Sequence, residues 1–251
     1  MNIIDPTREF NAPLALPEDE VHLWRVDLEA VGAAESRWQK VLSSDELARA
    51  VRFHFQRDRQ HFVASRALLR TILASYLATA PNSVNFSYSK KEKPSLGPLL
   101  ADSKVTFNIS HSRGIALLAF SRGREVGIDV EQVRRDFDVE AIARRFFSEH
   151  EQHQLADLPN DGRFAAFFRC WTRKEAYLKA TGDGLSLPLD QFDVSIVPED
   201  HDALLSTRPD DSEAAHWSLR EVPAGPGYVA ALCGRGREWR LKAWSPGPAN
   251  D

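Results

Sequence analysis

Two acidic side chains alternate with aliphatic ones in the segment VGIDVEQV, residues 126–133. Because side chains on a β-strand alternate between its two faces, Asp129 and Glu131 lie on the same face, about 7 Å apart along the chain. Two like charges so placed repel each other, unless a cation lies between them. A solvated strand near a sheet edge also carries such acids, so the pair alone leaves both interpretations open.

A third acid, Glu175, lies on the apolar stripe of the helix predicted over residues 163–182. Four large apolar side chains share this stripe: Phe164, Phe168, Trp171 and Leu178. A carboxylate among them is costly to bury unless it is paired or binds a metal. An ordinary Glu175–Lys179 helix pair is the alternative, and it contributes only about 0.3–0.5 kcal/mol. That pair does not explain why an acid stands on the apolar stripe.

Asp129, Glu131 and Glu175 together form a set of oxygen ligands for one hard cation. Mg²⁺ takes such ligands at about 2.1 Å and usually keeps waters and substrate phosphate oxygens as well. The three acids therefore predict a Mg²⁺ site that works on a phosphate-bearing substrate.

Cations for such a substrate are abundant in residues 49–70, where six arginines accompany one aspartate. A solvated helix face is the usual meaning of such a run. Arg66, however, shares the predicted stripe of Phe62 and Leu69, so we expect a specific role for it. The segments NISHS, 108–112, and KEKPSL, 91–96, are ordinary when taken alone.

Composition excludes several classes of protein. The net charge of −4 argues against a polyanion or nucleic-acid binder. No secretory signal and no apolar run of membrane-spanning length is present. Cys170 and Cys233 have neither metal-type spacing nor a disulfide pattern, so we expect a reduced, cytoplasmic compartment. Phosphate-binding glycine loops of the Walker or Rossmann type and a nucleophile elbow are absent from the sequence.

The elements that must position these residues alternate between helix and strand. One helix is predicted to begin at residues 43–47, and three others are predicted to cover residues 57–77, 142–155 and 163–182. Strands are predicted at 21–28, 84–89, 105–110, 114–121, 126–133, 190–197, 216–222 and 227–233. The segment SRGR, 121–124, predicts a hairpin turn.

A weak internal repeat runs through this pattern. Each half contains a Phe-rich basic segment, a long amphipathic helix and strands that end in an apolar one. An α+β fold of two similar α+β halves, with domains at residues 1–125 and 126–251, would fit this pattern, and a chance similarity between the halves would fit it equally well.

Four segments in order resemble the Sfp-type 4′-phosphopantetheinyl transferases: KEKPSL, FNISHS, VGIDVE and FFRCWTRKEAYLKATGDGLSLPLDQF. The resemblance spans residues 45–195. It implies transfer of phosphopantetheine from coenzyme A to a serine of an acyl or peptidyl carrier protein, with release of 3′,5′-ADP. The length is similar to that of the two-domain, pseudo-dimeric class, which implies a monomer whose two α+β halves lie in a pseudo-two-fold arrangement.

The resemblance also implies roles for individual residues. Asp129, Glu131 and Glu175 match the family's Mg²⁺ acids, and Glu175 and Lys179 its catalytic pair. The coenzyme-binding positions that match are Arg49, Lys93, Asn108, Ser110, His111, Lys174 and Lys179. One position departs from the pattern, since Glu46 stands where the prototype has a second basic residue near the 3′-phosphate.

Two other functions remain alternatives. One is a different Mg²⁺-dependent phosphoryl or nucleotidyl transferase that uses the same three acids. The other is a non-catalytic coenzyme A-binding protein, against which the presence of all three acids argues.

Overall fold

The protein is described here by a computed structural model that covers residues 13–32, 35–89, 93–182, 184–198, 200 and 203–244. The chain forms two compact units. The first unit comprises Met1–Thr106, Gly114–Gly123 and Leu241–Asp251, and the second Phe107–Arg113 and Arg124–Arg240. Among the described residues, no helix has the length and apolar character needed to cross a membrane.

The helices of the first unit are numbered in chain order: α1 (Leu28–Gly32), α2 (Glu35–Trp38), α3 (Ser44–Ala50) and α4 (Gln56–Leu77). Helix α4 is the predicted long helix, and α1, α2 and α3 contact it. It ends at Ala78, whose φ of 51° is left-handed. Helix α3 begins after Ser43, which forms a capping box with Glu46, as the Ser cap of the sequence predicts.

The strands of the chain are β1 (Glu20–Asp27), β2 (Phe86–Tyr88), β3 (Pro94–Leu96), β4 (Val105–Ser112), β5 (Ile115–Arg122), β6 (Val126–Gln132), β7 (Phe192–Val194), β8 (Leu204–Thr207), β9 (Trp217–Glu221), β10 (Tyr228–Arg235) and β11 (Arg240–Trp244). One sheet has the order β11-β1-β5-β4, and another the order β6-β10-β9. Two small sheets pair β2 with β3 and β7 with β8.

The second unit contains three helices: α5 (Val139–Phe146), α6 (Glu149–Ala156) and α7 (Asn160–Thr181). Helix α7 packs on β6 and β10. Its ridge of Phe167, Phe168 and Trp171 packs with Phe137 and Phe147 in an aromatic cluster. The core of this unit is therefore the α7 side of the β6-β10-β9 sheet.

The α+β class is confirmed, and each half has the same strand order. In the first half β1 pairs with β5 and β5 neighbours β4, while in the second half β6 pairs with β10 and β10 neighbours β9. Strands β1, β5 and β4 thus have the same relative order as β6, β10 and β9, while β11, the last strand of the described chain, lies beside β1. The pseudo-two-fold arrangement and the boundary between residues 125 and 126 stay predictions.

Three local predictions differ from the structure. Residues 121–124 do not form a hairpin turn, because β5 and β6 belong to different sheets. The helix predicted over 142–155 is two helices, because Ser148 caps α6 through its own capping box with Glu151. The polar insert after residue 197 contains β8 and a short 3-10 helix, Asp211–His216, neither of which has an apolar period long enough to predict.

Candidate active site

The acidic strand β6 carries its two carboxylates in different environments. Asp129 is 5% exposed, and its Oδ1 accepts hydrogen bonds from Ser110 Oγ at 2.8 Å and Lys179 Nζ at 2.6 Å. Its second oxygen, Oδ2, is buried and has no hydrogen-bond partner among the described residues. Glu131 is half-buried and accepts a hydrogen bond from Ser112 Oγ at 2.7 Å. A buried carboxylate oxygen with no donor is the feature that a cation would satisfy.

The segment Phe107–Arg113 lines β6 with polar side chains at every second position. Asn108 Oδ1 accepts from the backbone N–H of Ile128 at 2.9 Å. Ser110 and Ser112 donate to the two carboxylates, and Ser112 Oγ also accepts from the N–H of Gln132. Asn108 and Ser110, both predicted coenzyme ligands, thus already hold the acidic strand, and Ser112 is a member of the site that the sequence reasoning missed. The alternation N-x-S-x-S within β4 is the signal that would have included it.

Helix α7 is buried on most of its surface. From Cys170 to Ala180 all but three residues of this helix are buried. The three half-buried residues follow one another at intervals of one helical turn: Trp171, Glu175 and Lys179. Phe168 and Leu178 are fully inside. Glu175 therefore lies with Trp171 and Lys179 on the more accessible line of the helix, while Phe168 and Leu178, which share its predicted stripe, are buried.

The close approach of α7 to β6 depends on Gly127. A Cβ at this position would overlap the carbonyl oxygen of Ala176 and the backbone nitrogen of Ala180. Glycine is required here by backbone contact, since no positive φ is involved. This contact brings the Lys179 side chain to Asp129.

Electrostatics link the three predicted metal ligands. Burial raises the pKa of Glu175, and repulsion by Asp129 raises it further, although Lys179 acts in the opposite direction. Burial also raises the pKa of Glu131, against the hydrogen bond from Ser112. Among the described residues, no group of three or more His, Cys, Asp and Glu side chains has the geometry of a metal site. The Mg²⁺ triad of Asp129, Glu131 and Glu175 therefore stays a prediction, supported by the unpartnered Oδ2 of Asp129.

Lys174, a predicted coenzyme ligand, is fully buried. Its ammonium donates to the carbonyl oxygens of Leu189 at 2.6 Å and Phe192 at 2.7 Å, and lies 2.7 Å from Glu151 Oε1. An ammonium has three protons, and these three partners use all of them. This geometry argues for a structural role, and neither Glu151 nor its pairing was foreseen from the sequence.

The remaining predicted coenzyme residues belong to other parts of the chain. Arg49 belongs to the first unit, where it lines a cavity of about 230 Å³ together with Asp45, Glu46, Phe62, Arg66 and Tyr88. Lys93 closes the loop between β2 and β3 through backbone hydrogen bonds with Ser89. His111 is an exposed residue of β4. The structure does not test the coenzyme contacts of these three residues.

The departure at Glu46 has a structural explanation. Its carboxylate is 3% exposed and accepts from Arg66 Nε at 2.8 Å and Arg70 Nε at 2.6 Å. Arg66 also donates to the hydroxyl of Tyr88 at 2.7 Å. The second cation beside Arg49 is therefore Arg66, which reaches the cavity from α4 rather than from position 46.

Comparison with known proteins decides the family. The model of the 4′-phosphopantetheinyl transferase superfamily matches residues 125–233, and the model of the N-terminal region of 4′-phosphopantetheinyl transferases matches residues 33–122. The 4′-phosphopantetheinyl transferase HetI of Nostoc sp. is 43% identical over 231 residues, which are 92% of this chain and 94% of HetI. The chain belongs to the 4′-phosphopantetheinyl transferase superfamily.

A second relative agrees with this assignment. The 4′-phosphopantetheinyl transferase Sfp of Bacillus subtilis is 30% identical over 197 residues, 78% of this chain and 84% of Sfp. The crystal structure of the holo-acyl-carrier-protein synthase of Thermotoga maritima matches with a TM-score of 0.34 and 22% identity, over 45% of this chain and 63% of that one. In this superfamily member, the matched region 125–233 contains β6 and α7, and with them all three predicted metal ligands.

Proposed function

We propose that this 4′-phosphopantetheinyl transferase moves the phosphopantetheine arm of coenzyme A to a serine of an apo acyl or peptidyl carrier protein, releasing 3′,5′-ADP. The observation that carries the mechanism is the juxtaposition of Asp129 and Lys179 on the strand and helix that also carry Glu131 and Glu175. Family membership supports the transfer reaction itself.

The carboxylates would hold Mg²⁺, whose ligands are oxygens of this kind. Asp129 offers its unpartnered buried Oδ2, and Glu131 and Glu175 offer carboxylates whose pKa values are raised by burial. When bound, the metal neutralises charge on the pyrophosphate oxygens. We assign the three acids as its ligands on the basis of this chemistry.

We assign proton transfer and charge stabilisation to two residues on the accessible line of α7. The carrier serine oxygen forms a bond to the phosphorus that bears the pantetheine, and the bond from that phosphorus to the bridging oxygen of ADP breaks. Glu175, with a raised pKa, is suited to accept the serine proton. The ammonium of Lys179 is suited to meet the charge that develops on the leaving oxygen.

The 3′-phosphate of coenzyme A would bind at the Arg49 cavity, with Arg66 as the second cation. A role for His111 is implied by the family resemblance alone. Charge-assisted bonds from guanidinium groups are the strongest that a phosphate can receive. Dephospho-coenzyme A should then bind more weakly than coenzyme A. Arg49→Gln and His111→Asn, measured separately, should reduce that difference, and equal binding of the two ligands by the wild-type protein would exclude the assignment.

One experiment tests the reaction. The protein, coenzyme A and Mg²⁺ are incubated with an apo carrier domain, and the intact carrier is weighed by mass spectrometry. We expect a gain of one phosphopantetheine group, loss of the gain in excess chelator and its return with added Mg²⁺. Full transfer in chelator would contradict the metal ligands, and an unmodified carrier with bound coenzyme A would indicate a binding protein instead.

We also propose that the protein acts as a monomer in the cytoplasm. Its sequence has no disulfide pattern, and both cysteines are buried. Size-exclusion chromatography with light scattering should give the mass of one chain, and the mass of a dimer would refute this.

A further inference from the structure

The first unit contains a buried glutamate that joins a short helix to a long one. Ser43 and Glu46 form the capping box of α3, and the Glu46 carboxylate pairs with Arg70 of α4. Arg70 is 2% exposed. Its Nη1 also donates to the carbonyl oxygens of Pro81 at 3.2 Å and Val84 at 2.7 Å, which follow the helix. We call such a buried pair of a capping-box glutamate and a helix cation a clasp.

The second unit contains a clasp of the same construction. Ser148 and Glu151 form the capping box of α6, and the Glu151 carboxylate pairs with Lys174 of α7 at 2.7 Å. Both side chains are 0% exposed. The ammonium donates to the carbonyl oxygens of Leu189 and Phe192, which follow this helix.

The two cations occupy equivalent places in the repeat. Arg70 lies fourteen residues after Gln56, the first residue of α4, and Lys174 lies fourteen residues after Asn160, the first residue of α7. Both helices have 22 residues. Each cation also lies over a phenylalanine ring, Phe86 at 5.1 Å and Phe192 at 4.4 Å. These shared details identify the clasp as part of the repeated fold rather than of the catalytic site.

The clasp of the second unit sits next to the accessible line of α7. Lys174 directly precedes Glu175, so its anchoring fixes the rotation of the helix at this point. Glu151 strengthens the anchor, since its carboxylate also accepts from the backbone N–H groups of Val194 at 2.8 Å and Ser148 at 3.0 Å. A rotation of one residue is about 100°, enough to carry a side chain from the accessible line into the core.

We propose that Glu151 and Lys174 are positioning residues, which hold α7 so that Glu175 and Lys179 face Asp129, and that Lys174 does not touch coenzyme A. The positioning role rests on the proposed function of those three residues. The assignment of Lys174 as a clasp cation rests only on its contacts and on its equivalence with Arg70.

The test compares Lys174→Met and Lys174→Arg with Arg70→Met, the matched change in the other clasp. Mg²⁺ affinity and coenzyme A affinity are measured by calorimetry well below the melting temperature, and the melting temperature itself by circular dichroism. Removing one partner of a buried pair leaves the other charge unpaired, so both Met variants should melt lower by about 10 °C. Lys174→Arg has at position 174 the same residue type as the first clasp, an arginine. It should melt within a few degrees of the wild type.

Metal affinity separates positioning from general loosening. We expect Lys174→Met to bind Mg²⁺ at least tenfold more weakly, Lys174→Arg to recover most of that loss, and Arg70→Met to bind Mg²⁺ like the wild type. Equal loss of Mg²⁺ affinity in Arg70→Met and Lys174→Met would overturn the positioning role.

Coenzyme affinity separates positioning from direct binding. Lys174→Arg should bind coenzyme A within about twofold of the wild type. A tenfold loss of coenzyme A affinity in Lys174→Met, with Mg²⁺ affinity unchanged, would show that Lys174 is a coenzyme ligand and overturn the proposal. A wild-type protein that binds no Mg²⁺ would instead contradict the proposed function, while the melting temperatures would still test the clasp.

Discussion

Lys179 and Asp129 form an ion pair of 2.6 Å that joins α7 to β6. The Lys179 side chain is 29% exposed, while that of Asp129 is 6% exposed. The Lys179 side chain therefore extends from the accessible line of the helix and places its ammonium, a positive charge, beside the buried Asp129 carboxylate.

Replacing this lysine should make the protein depend more on metal for stability. In Lys179→Met, the buried Asp129 carboxylate loses its ion-pair partner, so the melting temperature measured without metal should fall by on the order of 5 °C. Saturating Mg²⁺ should raise the melting temperature of this variant more than that of the wild type, because ligand binding stabilises the folded state. Thermal melts with and without Mg²⁺ measure this, and equal increments in both proteins would show that the metal does not use Asp129.

Glu175→Gln should separate stability from activity. Glutamine has nearly the same size, and loss of the charge removes repulsion from Asp129 and Glu131, so the metal-free melting temperature should stay equal or rise. Transfer should fall on the order of a hundredfold or more, since an amide is a poor base and a weaker Mg²⁺ ligand. The measurements are the metal-free melting temperature and the rate at saturating Mg²⁺ and coenzyme A. A less stable variant with near-normal turnover would place Glu175 outside the chemistry.

Gly127→Ala should disrupt the contact between β6 and α7. The added methyl group meets backbone atoms of Ala176 and Ala180, which cannot rotate away, so the cost should reach about 3 kcal/mol, the upper end of the usual range for overpacking. Gly162→Ala is the matched control, because a Cβ added there would meet no neighbouring element of the described chain within 4 Å, and its φ is not in the left-handed region. The control should stabilise the protein by about 0.5–1 kcal/mol. Urea unfolding of both variants checks this, and similar midpoints would refute the close approach.

His22 should make the first unit sensitive to mild acid. Its Nδ1 lies 2.7 Å from the Tyr76 hydroxyl, which also accepts from Trp24 Nε1, and its Nε2 lies 2.8 Å from Glu20. Burial lowers the pKa of His22 below 6.5. The unfolded state therefore binds the proton more tightly, and stability is lost as the pH falls below 6.5 towards the lower folded-state pKa.

The variant His22→Gln isolates this effect. Its free energy of unfolding should fall less than that of the wild type between pH 7 and pH 5, since glutamine does not titrate there. Parallel pH dependences of the two proteins would contradict a neutral buried His22.

The sequence predicted the parts of the site that depend on local pattern. The acids of β6 followed from strand alternation, and the two long helices from their apolar period. The burial of Lys174 could not be predicted, because it depends on Glu151 and on carbonyl groups beyond the helix. The same holds for Arg70, which the charge pattern assigns to a solvated face, whereas it is buried in a pair with Glu46. Arg66 was expected to have a specific role from its position on an apolar stripe, and its partner Glu46 was not foreseen.

The partial exposure of Glu175 has a related cause. A helical stripe shows which residues share a face, but it does not show how far each residue is covered, and α7 is covered on almost all faces. The start of a second helix at Ser148, by contrast, has a local signal, the capping-box pattern S-x-x-E. The helical period over residues 142–155 nevertheless led to the prediction of one continuous helix.

Both cysteines of the chain, Cys170 and Cys233, are 0% exposed, and burial raises the pKa of the Cys170 thiol well above its ordinary value. Reaction with a disulfide requires an accessible thiolate. Coenzyme A itself carries a thiol and readily oxidises to disulfide forms, which would trap any enzyme with a reactive cysteine near it. This protein presents no such nucleophile, so oxidised coenzyme A should leave it unmodified, and assays need a reductant only to keep the substrate in its thiol form.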